Sequence, residues 1–236
     1  MPKKCAIKTI FTIKFLFFAS LLFSQTIKIP DNFVEAKIPI VESPDWFKLN
    51  HSKDYYAVKK VSNQLLIDQT EFKDKVEYLT KKGKLIGYDE GEFGGKLEYI
   101  PNSNPSKTIE IMFGNIVDIF DFQSKIYILQ GGYKGGSISE LKMDEENFVV
   151  KRLFNFDNPP LAVKVFENKI YVVSFNGFYV VENNDWEKIF YNQFWWGLYP
   201  SSIVYFNDEN IFIGIRSGIV KIDLKNRAVK FYQENK

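Results

Sequence analysis

Three carboxylates, Asp89, Glu90 and Glu92, stand together in LIGYDEGEFGGKLEYI (residues 85–100), set among Gly87, Gly91, Gly94 and Gly95. Acids gathered in this way can hold a hard cation through oxygen ligands or divide acid and base roles in hydrolysis. Two further acids, Asp118 and Asp121, interrupt the apolar run IVDIFDF. Cleavage of a glycosidic bond needs two carboxyl groups roughly 5–10 Å apart, one to protonate the leaving oxygen and one to act as base or nucleophile. Asp89, Glu90, Glu92, Asp118 and Asp121 are therefore the candidate catalytic acids. The acidic loop is also a weak calcium candidate, since it lacks the regular aspartate spacing of an EF-hand loop. No other metal or cofactor is expected.

His51 is the single histidine. A histidine metal cluster is thereby excluded, and a Ser-His-Asp triad would have to use this one residue. It sits in KLNHSKD, a polar turn context that reads as solvated. GEFGGK has neither the spacing nor the following helix of a phosphate-binding loop. The second constellation is aromatic: NQFWWGLYPSS (192–202) crowds Phe194, Trp195, Trp196 and Tyr199 together. Such rings offer large flat area at little entropic cost and suit stacking on a sugar or clamping a peptide. The alternative is that they wedge between sheets as core. Arg216, in IGIRSG, follows an apolar run and either reaches the same mouth or forms a surface salt bridge. Trp195, Trp196, Tyr199 and Arg216 are the candidate ligand-binding residues.

These side chains need elements to position them. The chain has 236 residues and is 45% hydrophobic, enough for a sizeable core within one large all-β domain. Its first 24 residues differ from the rest: Lys3, Lys4 and Lys8 precede FLFFASLLF (15–23), and Ser24-Gln25-Thr26 supplies small residues for cleavage. This is the layout of a secretory signal peptide. Lys14 interrupts a longer apolar run, and a membrane span needs roughly 20 apolar residues, so no permanent span is expected. Cys5 precedes the apolar run, which argues against lipidation at the cleavage point. Removal of the leader takes Lys3, Lys4, Lys8 and Lys14 and leaves 27 basic against 29 acidic residues. A nearly neutral chain lacks the footprint of a nucleic-acid binder. Without Cys5, the mature chain has no cysteine and no disulfide.

Beyond residue 50, short β-branched and aromatic runs alternate with Gly, Asn and Asp, the pattern of many short strands. Three segments align: IVDIFDFQSKIYILQGG (116–132), LAVKVFENKIYVVSFNG (161–177) and SSIVYFNDENIFIGIRSG (201–218). Each holds an alternating strand ending in Phe122, Phe166 or Phe206, a polar turn, then a denser apolar strand beginning at Ile126, Ile170 or Ile211. VEYLTKKGKLIGYDEG (76–91) joins the series. Third strands are expected at 96–100, 137–143, 178–182 and 219–224, and fourth strands at 107–113, 148–154, 186–190 and 228–232. Clear units thus lie near 72–113, 116–154, 161–190 and 201–232, with a degenerate one near 45–70. Residues 26–41 could add an edge strand to the last unit. The glycines at 91, 94 and 95 fall between a second and a third strand, where glycine supplies positive φ. Turn chemistry is the favoured reading there, with a functional acidic loop as the alternative.

Four antiparallel strands in a repeat of about 40 residues resemble a blade of the β-propeller superfamily. ILQGGY (128–133) is similar to the strand and double glycine of kelch blades; no WD dipeptide or sialidase-type box is present. The resemblance implies an all-β fold, a propeller of about five four-stranded blades over residues 25–236 after the leader at 1–24. A β-sandwich is the runner-up. The expected function is a binding or interaction module for an unknown protein or glycan, exported to a bacterial periplasm or beyond. The rival is an extracytoplasmic glycan-active hydrolase or lyase using carboxylates in the propeller funnel.

Overall fold

The computed structural model describes residues 27–182 and 185–235. The expected signal peptide, 1–24, lies outside the described residues, as does Cys5. The chain begins with β1 (Phe33–Ala36), α1 (Pro44–Asn50), β2 (Tyr56–Val61) and β3 (Gln64–Gln69). Four strands follow, β4 (Lys75–Leu79), β5 (Gly83–Tyr88), β6 (Lys96–Pro101) and β7 (Ile109–Phe113). The next four are β8 (Asn115–Phe122), β9 (Lys125–Gly132), β10 (Gly135–Asp144) and β11 (Asn147–Phe156). Then come β12 (Pro160–Phe166), β13 (Lys169–Ser174), β14 (Phe178–Glu182) and β15 (Asp185–Phe190). The last are β16 (Ser202–Asn207), β17 (Asn210–Ile215), β18 (Gly218–Asp223) and β19 (Ala228–Glu234). Among the described residues no helix is long and apolar enough to cross a membrane.

The strands form five sheets, all antiparallel, in a propeller-like succession. β4–β7, β8–β11 and β12–β15 are each four-stranded meanders. β16–β19 gains β1 at its outer edge, Phe33 lying opposite Glu234. The expectation of four strands in every unit fails at the first: β2 and β3 form a sheet of two. The cause is local. Ser43 caps a helix by accepting from Trp46 N (3.3 Å), Pro44 fills the first helical position, and Asp45 sits in the first turn. Residues 45–50, expected within the degenerate unit at 45–70, are therefore helical.

Turns explain the hairpins. Gln123 and Ser124 have φ of 48° and 61°, and Ser62 and Asn63 have 47° and 63°. Two successive positive φ values make the type I′ turn whose twist matches paired strands.

Packing follows from a sheet having two faces. β17 is buried along its whole length, as are Ile170 to Ser174 of β13. One hydrophobic cluster joins β12–β15 to β16–β19 through Tyr171, Val173, Ile211 and Ile213. A second joins β8–β11 to β12–β15 through Tyr127, Leu129, Val172 and Tyr179. A third joins the β2–β3 hairpin to β16–β19 through Tyr56, Val58, Val204 and Phe212. A fourth joins β4–β7 to β8–β11 through Leu85, Leu97, Ile119 and Ile128. No hydrophobic cluster of the described residues joins the hairpin to β4–β7. The outward face of β4–β7 carries the pairs Lys75–Glu77 (2.6 Å), Lys84–Glu77 (3.2 Å) and Lys96–Glu98 (2.7 Å), and that of the hairpin carries Lys59–Asp68 (2.9 Å). Exposed pairs of this kind contribute little to stability.

Gly214 shows how tightly the hairpin is held: a Cβ there would stand 2.2 Å from Tyr56 O. Gly214→Ala should cost about 1–3 kcal/mol by forcing β2 away from β17. Thermal melting measures this, and an unchanged midpoint would mean that β2 does not rest on β17.

Candidate functional site

In each four-stranded meander the turn between second and third strands lies at the same end as the link to the next sheet. These segments meet along one rim. Gly114 N donates to Gly95 O (2.8 Å), Phe175 N to Pro159 O (2.8 Å), Gln193 N to Asn176 O (2.9 Å), and Arg216 N to Leu198 O (2.7 Å). The expected ligand residues all sit here, but in unlike surroundings.

Trp195 is fully buried, and its indole N–H donates to Ser174 O (3.2 Å). It wedges between sheets and has no exposed surface to offer. Its neighbour Trp196 is half-buried and stacks on Trp46 of α1, with ring centroids 5.4 Å apart. The helix clamps this loop: Trp46 Nε1 donates to Phe194 O (2.9 Å) and Asn50 Nδ2 to Gly197 O (2.9 Å). Gly197 has φ +69°, and a Cβ there would stand 3.0 Å from Asn50 Nδ2.

Arg216 and Tyr199 are brought together. The guanidinium carbon lies 4.7 Å from the centroid of Tyr55 and 4.9 Å from that of Tyr199, a cation between two rings. Its N–H groups donate to Asn50 O and Tyr55 Oη. No carboxylate pairs with it among the described residues, and burial lowers its pKa. The alternative reading of Arg216, a surface salt bridge, gives way to aromatic stacking. Phe72 stands edge-on to Tyr55 (5.3 Å) and Tyr199 (5.5 Å), and Phe175 edge-on to Tyr199 (5.7 Å) and Trp196 (5.9 Å).

The wider rim has two further peculiarities. The exposed aromatic side chains among the described residues are Phe47, Phe72, Phe93, Phe113, Tyr133 and Tyr191. Phe113 ends β7 at this rim, and the others belong to its turns, links and helix. In addition, Asn115 Oδ1, Asn176 Oδ1 and Arg216 Nε are buried there without a hydrogen-bond partner among the described residues. Orphaned buried groups are rare in folded proteins. The opposite rim is polar: its turns carry Gln123, Glu145, Glu167 and Arg227, and Lys107 pairs with Glu146 across two sheets (2.5 Å). A cleft of about 600 Å³ opens at that end, lined by Lys169, Tyr171, Glu182, Asp208 and Lys225 among others.

The candidate acids do not converge. Asp89 accepts from Gly91 N (3.0 Å), closing a turn in which Gly91 and Gly94 have φ +60° and +93°. Glycine serves the bend here. Glu90 and Glu92 are exposed. Asp121 points away at the opposite end, where it accepts from Tyr78 Oη (2.5 Å); burial and this bond push the Tyr78 hydroxyl up to about 12. Asp118 accepts from Ile119 N (2.8 Å) and is partly buried. Burial raises the pKa of both Asp118 and Asp89, and no second carboxylate contributes to either shift. A catalytic pair would couple. Among the described residues no three His, Cys, Asp or Glu side chains gather as a metal would require. His51 is exposed and stacks on Phe47, with centroids 6.0 Å apart.

No family model matches the chain, and no curated protein matches it. Among solved structures it is similar to the dihydro-heme d1 dehydrogenase NirN in complex with DHE, with TM-score 0.44 and 9% identity over 78% of this chain and 44% of that chain. It is also similar to an S. cerevisiae complex of a dbp5 variant bound to nup159, a gle1 variant, IP6 and ADP, with TM-score 0.42 and 10% identity over 86% of this chain and 65% of that chain. The chain thus spans less than two thirds of the length of either.

Asp118 gives a pH test. Its carboxyl keeps a proton in the folded state at pH values where the unfolded chain has lost it. The folded state therefore binds more protons across that window, and stability falls as pH rises from the ordinary carboxylate value through the raised one. Asp118→Asn removes this loss. Its melting temperature should exceed that of the parent at pH 7 and match it near pH 3. A lower value at pH 7 alone would show that the charged carboxylate serves a partner.

Proposed function

We propose that the chain is an exported, propeller-like binding module of five sheet units, one of them short, and that the aromatic rim is its ligand face. One observation carries this reading: the exposed rings collect at one end of the sheets while the other end is polar. Water tolerates scattered apolar residues, but a one-sided collection marks an interaction surface. The unpartnered Asn115 Oδ1, Asn176 Oδ1 and Arg216 Nε support it, because a ligand edge or its bridging waters would satisfy them. The rings come from α1 and from three successive sheets, which suits a broad ligand, a polymer chain or a protein surface, better than a small molecule. Trp196, Tyr199 and Arg216, with Tyr55 and Phe72, form the proposed anchor. Export rests on the composition of residues 1–24.

The hydrolytic alternative finds less support, because neither Asp89 nor Asp118 has an acidic partner coupled to it. The test is retention on immobilised polysaccharides and on a peptide array. Phe72→Ser, Phe93→Ser and Tyr133→Ser combined should lower retention roughly tenfold or more. Val61→Ser with Leu79→Ser, at the other end, should leave it unchanged. Equal behaviour of the two variants, or no retention of the parent, would sink the reading, and release of reducing sugar ends would favour hydrolysis.

A further inference from the structure

The β2–β3 hairpin stops two strands short of its neighbours, and no described strand pairs with its outer edge. The type I′ turn at Ser62-Asn63 makes Val61 and Gln64 a hydrogen-bonded pair, and antiparallel pairing alternates from there. Thr70 N donating to Tyr55 O (2.9 Å) confirms the phase. On β2, the residues between bonded pairs point their backbone outward and are met by hydroxyls: Val58 N donates to Ser202 Oγ (2.8 Å), and Ser201 Oγ donates to Tyr56 O (2.6 Å). On β3 the corresponding residues are Leu65, Ile67 and Gln69. No described backbone group meets their outward N–H and C=O.

The outermost strands of the other sheets are defended. A bulge separates β7, β11 and β15 from their neighbours, and these strands carry Glu110, Lys151 with Arg152, and Glu187 with Lys188. β1 has only four residues and includes Glu35. Bulges, charges and shortness are the usual defences against edge pairing. β3, QLLIDQ, has six residues in unbroken register, no proline, and one charge, Asp68, already held by Lys59 at 2.9 Å.

The edge is also complementary to itself. A twofold axis through Ile67 sets Ile67 opposite the second copy's Ile67 and Leu65 opposite the second copy's Gln69. Every outward backbone group then faces another, and Leu66 lies opposite the second copy's Asp68, so no like charges meet. The order β2–β3–β3–β2 has four strands, the number in each regular meander. We propose that two copies of this chain pair antiparallel along β3 and complete one another's short sheet. Closed twofold pairing of this kind uses the same patch on both copies.

Gln69→Pro tests the pairing. The Gln69 N–H points outward, so proline removes a bond from the dimer edge and none from the β2–β3 ladder. By symmetry two cross-edge bonds vanish, which should weaken association about tenfold or more. Sedimentation of the reduced protein should show a parent dimer at micromolar concentration and a variant monomer with unchanged circular dichroism. A parent that stays monomeric at roughly a hundredfold higher concentration, a dimer indifferent to Gln69→Pro, or open-ended polymers would each overturn it. Should Gln69→Pro fail to fold, Ile67→Cys in a Cys5→Ser background decides. Opposed residues of a bonded pair lie about 5.5 Å apart, within disulfide reach. A cross-linked dimer under mild oxidation supports the proposal, and persistent free thiol refutes it.

Discussion

A sheet whose central strands are apolar on both faces cannot stand alone in water, and this constraint governs the molecule. β17 is buried at every position and β13 at nearly every one, so each needs a layer on either side. Repeating the same meander supplies those layers, each inner sheet of the row giving one face to the sheet before and one to the sheet after. Burial of this kind stabilises at roughly 25 cal/mol per Å² of apolar surface. The helix α1 belongs to the same account: Trp46 and Leu49 cover part of the cluster that Trp195, Leu198 and Phe231 would otherwise expose.

The division between the two ends follows from connectivity. Turns inside hairpins at the polar end are tight and use Gln123-Ser124 or Glu167, residues that accept positive φ and remain solvated. The aromatic end carries the links between sheets and the longer turns. Those segments must bridge gaps between layers, and large rings fill such gaps. Trp195 does this completely and Trp196 and Tyr199 in part. A rim with half-covered rings beside unpartnered polar atoms is then available for recognition, and Arg216 is fixed within it by stacking and not by an opposite charge.

Much of the strand pattern was legible. The turns after Phe122 and Phe166 and the second strands beginning at Lys125, Lys169 and Asn210 fall within a residue of expectation, because alternation and turn residues are local signals. The edge strand within 26–41 is β1. Ser43-Pro44-Asp45 was a helix start in plain sight, masked by the aromatic residues that follow it. The candidate site was half legible. Trp195 and Trp196 are adjacent and chemically alike, and only the neighbouring sheet decides which is buried. Tyr55 and Phe72 were missed because they meet Arg216 and Tyr199 across more than a hundred residues, a relation no spacing encodes. The acids looked clustered because sequence does not reveal that Asp121 and Asp89 occupy opposite ends. Of the glycines at 91, 94 and 95, Gly91 and Gly94 have the positive φ that a turn reading requires and Gly95 does not.

Among the described residues the four hydrophobic clusters link the sheets in a row with two ends, from β4–β7 through β8–β11, β12–β15 and β16–β19 to the β2–β3 hairpin. A closed circle of such contacts can open only by breaking two at once, whereas a row can fray at a terminus by breaking one. Opening from the ends should therefore grade the amide protection, lowest in the terminal hairpin and in β4–β7 and highest in β13, whose sheet stands at the middle of the row.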